Sequence, residues 1–166
     1  MKKRSILSIV FAIMFALIAL FVIGFIVLFM NFNANFVSPQ EEIFQSIGEY
    51  ECVEYYSSNT IQDFTDFGVF DYSKPEIENA ENFSKLSDEK ELFEYIDDFE
   101  GWVEGYPDDY EIKQYYNFDR AIIDKKDYIY IADKSSEDDT YPKFHSYDLY
   151  FFDLQSQKLY YFHNNL

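Results

Sequence analysis

Residues 6–30 form an unbroken run of 25 side chains without a charge, interrupted only weakly by Ser8 and Gly24. As a helix rising about 1.5 Å per residue, such a run spans a hydrocarbon core of about 30 Å with a few residues left for tilt. Lys2, Lys3 and Arg4 precede it, and the next basic residue is Lys74. Positive charge is retained on the cytoplasmic side, so residues 1–5 are expected in the cytoplasm and everything after residue 30 outside it, in a single-pass arrangement. A cleaved leader would have an apolar core of only about 7 to 15 residues. A cut after Ala34 would also place bulky Phe32 where a small residue is required, and Cys52 lies too far downstream for lipid attachment. The expectation is therefore an uncleaved anchor in contact with membrane lipid.

The chain has 166 residues, so 136 follow the anchor, enough for one domain with one core. They hold all 31 acids and 10 of the 13 Lys and Arg, a formal charge of −21. Nucleic acid and anionic lipid surfaces would repel such a domain. Its 14 Phe, 16 Tyr and Trp102 supply far more aromatic surface than a disordered chain carries. One cysteine allows no internal disulfide, so that aromatic surface must provide the core.

Residues 31–37 read as a juxtamembrane linker and residues 38–166 as an acidic α+β domain. Ser38, Pro39 and Glu41 have the spacing of a capped helix start, with Ile43, Phe44 and Ile47 as its apolar face and Gly48 as its stop. Residues 50–60 fit neither a period of two nor one of 3.6, and strand and helix both stay open there. Residues 64–72 are rich in strand formers, with Gly68 marking a bulge or a close backbone approach. Residues 73–84 read as a loop.

The clearest element is residues 87–104, where Leu92, Ile96, Phe99 and Val103 recur along one side of an amphipathic helix capped by Ser87. Four strand-like runs follow: 115–123, 128–133, 146–153 and 158–163. Residues 124–127 and 154–157 are short enough for tight hairpins. The imperfect alternation of residues 147–152 predicts a strand covered on both faces. The expected domain is one amphipathic helix packed on a four- to five-stranded antiparallel meander.

Residues 61–68, Ile61-Gln62-Asp63-Phe64-Thr65-Asp66-Phe67-Gly68, and residues 147–166, ending Tyr160-Tyr161-Phe162-His163-Asn164-Asn165-Leu166, carry a resemblance. They resemble segments of uncharacterised small single-pass membrane-anchored proteins of low-GC Gram-positive bacteria. The resemblance implies a bacterial extracytoplasmic domain and no activity.

Acids cluster at Asp97, Asp98 and Glu100, at Asp108, Asp109 and Glu111, and at Glu137, Asp138 and Asp139, but none has the alternating spacing of a calcium loop. Solvated loops are the simpler reading, and no metal or cofactor is expected. Cys52, His145 and His163 are too few for zinc and lack a signature for thiol catalysis, so a buried thiol acting as a small apolar residue and histidines on half-wet strands are expected. Glu100 and Glu104 share one helix face while Trp102 points away, an arrangement unlike a sugar-cleaving pair.

Asp97, Asp98, Glu100 and Glu104 lie in the C-terminal half of their helix, where its dipole is negative and each costs a few tenths of a kcal/mol. Either solubility or attraction of a cationic partner accounts for them, the latter making Asp97, Asp98, Glu100, Trp102 and Glu104 a candidate binding face. In the anchor, Ser8, Ala12 and Ala16 form a small-residue stripe suited to helix–helix contact. The leading expectation is a tethered binding or shielding module for a basic protein or peptide. An accessory subunit of a membrane complex is the alternative, and a hydrolase is the weakest because no nucleophile, base and orienter occur together.

Overall fold

The computed structural model describes Met14, Ile18, Phe144 and residues 21–23, 38–58, 64–134 and 146–165. The chain divides into two units, residues 1–41 and 42–166. In the first, Met14, Ile18 and residues 21–23 are helical and exposed. The remainder of residues 6–30, including Ser8, Ala12 and Ala16, and all of the linker 31–37 lie outside the described residues. Among the described residues no helix is long and apolar enough to cross a membrane.

Helix α1 (Pro39–Ile47) begins as its sequence requires, the Glu41 N–H donating to Ser38 Oγ at 3.1 Å. It ends at Gly48, whose φ of 140° only glycine adopts without strain. Among the described residues six strands follow: β1 (Tyr50–Ser57), β2 (Phe64–Tyr72), β3 (Ser84–Lys85), β4 (Tyr128–Asp133), β5 (Ser146–Asp153) and β6 (Lys158–Asn165). Between β3 and β4 lie helices α2 (Glu89–Gly105) and α3 (Glu111–Tyr115) and a 3-10 turn at Arg120–Ile122. The sheet is antiparallel throughout, in the order β1-β2-β6-β5-β4-β3, so the α+β class holds with six strands where four or five were expected.

The sheet is covered on both faces. On one, Leu92, Tyr95, Ile96, Phe99 and Val103 of α2 and Ile112 of α3 close over Phe67, Leu149, Phe151 and Phe162. On the other, Phe44 and Ile47 of α1 meet Phe70, Tyr150, Phe152 and Tyr161, with the Phe44 and Phe70 rings 4.4 Å apart. Strand β5 lies between the two layers, which is why its residues alternate so poorly between apolar and polar. Each of its fully buried rings contributes about 2–3 kcal/mol of transfer free energy.

Three expectations need correction. Residues 115–123 are not a strand despite Tyr115, Tyr116, Ile122 and Ile123: Tyr115 ends α3, and the Asp119 carboxylate caps the next turn through the Ala121 N–H at 2.9 Å. Tertiary placement overrides β-propensity there. Residues 124–127 therefore join no hairpin; they form a turn closed by the Asp127 N–H on the Asp124 carbonyl at 3.0 Å. The cap of α2 is Asp88, accepting from the Lys90 N–H at 2.9 Å, not Ser87. Residues 50–60 resolve in favour of strand over Tyr50–Ser57, and residues 73–84 contain a 3-10 turn at Ile77–Asn79.

Gly68 is the close approach that its place in a strand implies. A Cβ there would stand 2.8 Å from the Phe70 ring and 3.0 Å from that of Tyr55. Phe70 is pinned in the core, so Gly68→Ala should cost about 1–3 kcal/mol in urea denaturation, as overpacking does. A variant as stable as the parent would show that the Tyr55 ring lifts away freely.

Candidate functional site

Of the four candidate acids of α2, Asp97, Asp98, Glu100 and Glu104, the first three find side-chain partners within the fold. Arg120 Nη2 stands 2.7 Å from Asp97 Oδ1 and 2.6 Å from Glu100 Oε2, and its guanidinium lies 5.7 Å from the Phe93 ring centre. Glu100 also accepts from the Tyr116 hydroxyl at 2.9 Å. Asp98 accepts from the Tyr147 hydroxyl at 3.1 Å and from the Trp102 indole, while burial pushes its carboxyl above the ordinary range. Trp102 and Glu104 are exposed. Asp97 and Glu100 thus anchor the segment between α2 and β4 through Arg120, a cation placed where it offsets the helix dipole. This use was contained in neither solubility nor partner attraction.

A second polar group is buried where the sequence implied wet strands. The four-residue turn 154–157 fixes the β5–β6 register, and counting five residues outward from Asp153 and Lys158 sets Asp148 opposite His163. Both are only 4 % exposed. His163 Nδ1 lies 2.6 Å from Asp148 Oδ1, the Tyr161 hydroxyl donates to the same oxygen at 2.7 Å, and Lys134 Nζ reaches Oδ2 at 2.8 Å. Burial alone would raise the Asp148 pKa, but these donors outweigh it and hold the carboxyl at about 2. An ionised carboxylate only accepts, so His163 Nδ1 carries the proton. Asp66, the β2 partner of His163, accepts from the Tyr55 hydroxyl.

An aspartate–imidazole pair is the orienting half of a hydrolytic triad. Here Nε2 is buried and has no hydrogen-bond partner, so no hydroxyl or thiol among the described residues is poised on it. Cys52 lies elsewhere, on exposed β1, with its thiol directed at the Glu54 carbonyl at 3.7 Å. Its exposure corrects the expectation of a buried thiol. Among the described residues no group of His, Cys, Asp and Glu is placed to hold a metal ion. Glu137, Asp138, Asp139 and His145 lie outside the described residues.

A further group of acids lies at the sheet edge. The ladders align Glu51, Asp71, Lys158 and Asp153 in a row across β1, β2, β6 and β5. Beside that row opens a cleft of about 550 Å³ lined by Glu49, Tyr50, Glu51, Asp71, Tyr72 and Lys158. Lys158 Nζ reaches Asp71 at 3.5 Å, while Glu49 and Glu51 have no cation among the described residues. Further along β1, Glu54 accepts from the Tyr56 hydroxyl and buries its Oε2 without a partner. Sequence reasoning missed this site because its carboxylates come from two strands and the turn before them, and only register unites them. No family model, curated protein or solved structure matches this chain.

Proposed function

We propose that this chain is a membrane-tethered, extracytoplasmic binding module for a cationic peptide or protein. The observation that carries the reading is the cleft at Glu49, Glu51 and Asp71, where three carboxylates and two tyrosines face one lysine. A cationic side chain entering it exchanges water for carboxylates and an aromatic wall, and the formal charge of −18 steers it there. The α2 face is a poorer docking surface because Arg120 already occupies Asp97 and Glu100. The tether rests on the uncharged run 6–30 and its orientation on Lys2, Lys3 and Arg4.

The test is fluorescence anisotropy of labelled oligolysine against the full chain in detergent micelles. Affinity should fall about tenfold or more between roughly 0.05 and 0.2 M salt, and should be lost when Glu49→Gln, Glu51→Gln and Asp71→Asn are combined. Binding indifferent to salt and to the triple replacement would refute the reading.

A further inference from the structure

The strand order leaves β1 at one edge of the sheet, with β2 as its only ladder neighbour among the described residues. The hydrogen bonds fix which of its backbone groups point outward. In an antiparallel strand successive residues turn their N–H and C=O to alternate sides. Ser58 donates to the Thr65 carbonyl, so Thr65 faces β1; Tyr72 donates to the Gln157 carbonyl, so Tyr72 faces β6. By alternation Phe67, Val69 and Asp71 face β1, and their partners Tyr56, Glu54 and Glu51 face inward. The partners of Phe70 and Gly68, Cys52 and Tyr55, turn their backbone groups out of the sheet.

Several side chains along this edge are open: Val53 is 46 % and Tyr55 48 % exposed, and Cys52 is exposed. At the opposite edge β3 pairs with Tyr128 and Ile129 of β4, and the remaining β4 residues are half-buried. The longer edge strand is therefore β1, eight residues against the two of β3. An open edge invites another strand unless something repels it. Glu49, Glu51 and Glu54 lie along it in a chain of formal charge −18, so a second copy would set like charges against like. The same charges favour a basic strand.

We propose that the β1 edge takes an extended basic peptide as a seventh strand, its backbone pairing with Cys52 and Tyr55 and its cations reaching Glu51 and Asp71. This deepens the binding reading above and rests on it. Side chains of an added strand alternate between faces about 6.6 Å apart on each. Those on the Glu51, Glu54 and Asp71 face meet carboxylates, and those on the other meet Cys52 and Tyr55. The ligand pattern that fits alternates basic and apolar residues. The bulge at Val53, between the register positions of Cys52 and Glu54, interrupts the edge between the two pairing positions Cys52 and Tyr55.

The experiment compares two eight-residue peptides of alternating lysine and valine on the full chain in detergent micelles, one unmodified and one with every backbone nitrogen methylated. Charge and side chains are the same, but only the first can join a ladder. The unmodified peptide should bind about tenfold or more tightly than the methylated one. Cys52→Pro, which removes an outward N–H, should weaken the unmodified peptide similarly. Equal, salt-sensitive binding of both peptides would overturn edge pairing and leave the cationic reading standing. Binding of neither would overturn both. Should Cys52→Pro fail to fold, the peptide comparison on the parent chain decides alone.

Discussion

Replacing Asp148 by alanine should destabilise the fold by about 3–5 kcal/mol in urea denaturation, the cost of leaving two buried donors without an acceptor and of losing an ion pair. Lys134 is half exposed and returns to water, so its share of the loss is under about 1 kcal/mol. The remainder falls on His163 and Tyr161, whose Nδ1–H and hydroxyl would stay buried with no acceptor. The same contacts set the acid limit of the fold. The folded carboxyl titrates at about 2 against an ordinary 3.8, so the unfolded chain binds its proton first as pH falls. Stability from this group is complete above about pH 4 and is lost toward pH 2, by about 2 kcal/mol. Asp98 and Asp127, pushed upward by burial, act in the opposite sense during acidification and delay the fall. A loss under 1 kcal/mol for Asp148→Ala, or stability flat from pH 5 to pH 2, would contradict this account.

Phe162→Ala should be comparably costly, about 3–5 kcal/mol, since it empties the point where α2 meets the sheet. The Phe162 ring is fully buried and lies 5.3 Å from Phe67, 5.2 Å from Phe99 and 5.1 Å from Phe118. Three edge-on or tilted aromatic contacts vanish with it, each adding about 0.5–1.5 kcal/mol beyond area burial. Phe162→Leu should lose less than half as much. If alanine and leucine proved equally mild, the pocket would have to collapse around the gap.

Legibility followed the range of the interactions that decide each element. Helix α2 could be read because Leu92, Ile96, Phe99 and Val103 fall within four turns of one another. Strands β4 and β5 were found to the residue because turn chemistry and strand formers agree locally. Residues 115–123 misled because their β-branched and aromatic content is real, while Arg120, the residue that fastens them to α2, finds its acids about 20 positions away. Strand β3, with two residues, has no local signal and exists because Ser84 and Lys85 meet β4. The Asp148–His163 pair could have been inferred, since the turn at 154–157 was recognised and its register follows. The β1 edge cleft could not, because residues 50–60 had no period that assigned them a partner.

Strand β6 lies between β2 and β5, so it carries two ladders at once. Thr65 and Asn164, joined across one of them, are 99 positions apart in sequence. The β1–β2 hairpin and the β3–β4–β5 run therefore stay separate half-sheets until β6 arrives to weld them. Assembly of the central seam is the late, long-range step, slow by comparison with helix formation. Until β6 docks, Glu51 of β1 and Asp71 of β2 keep charge on the waiting half-sheet, a guard against premature pairing.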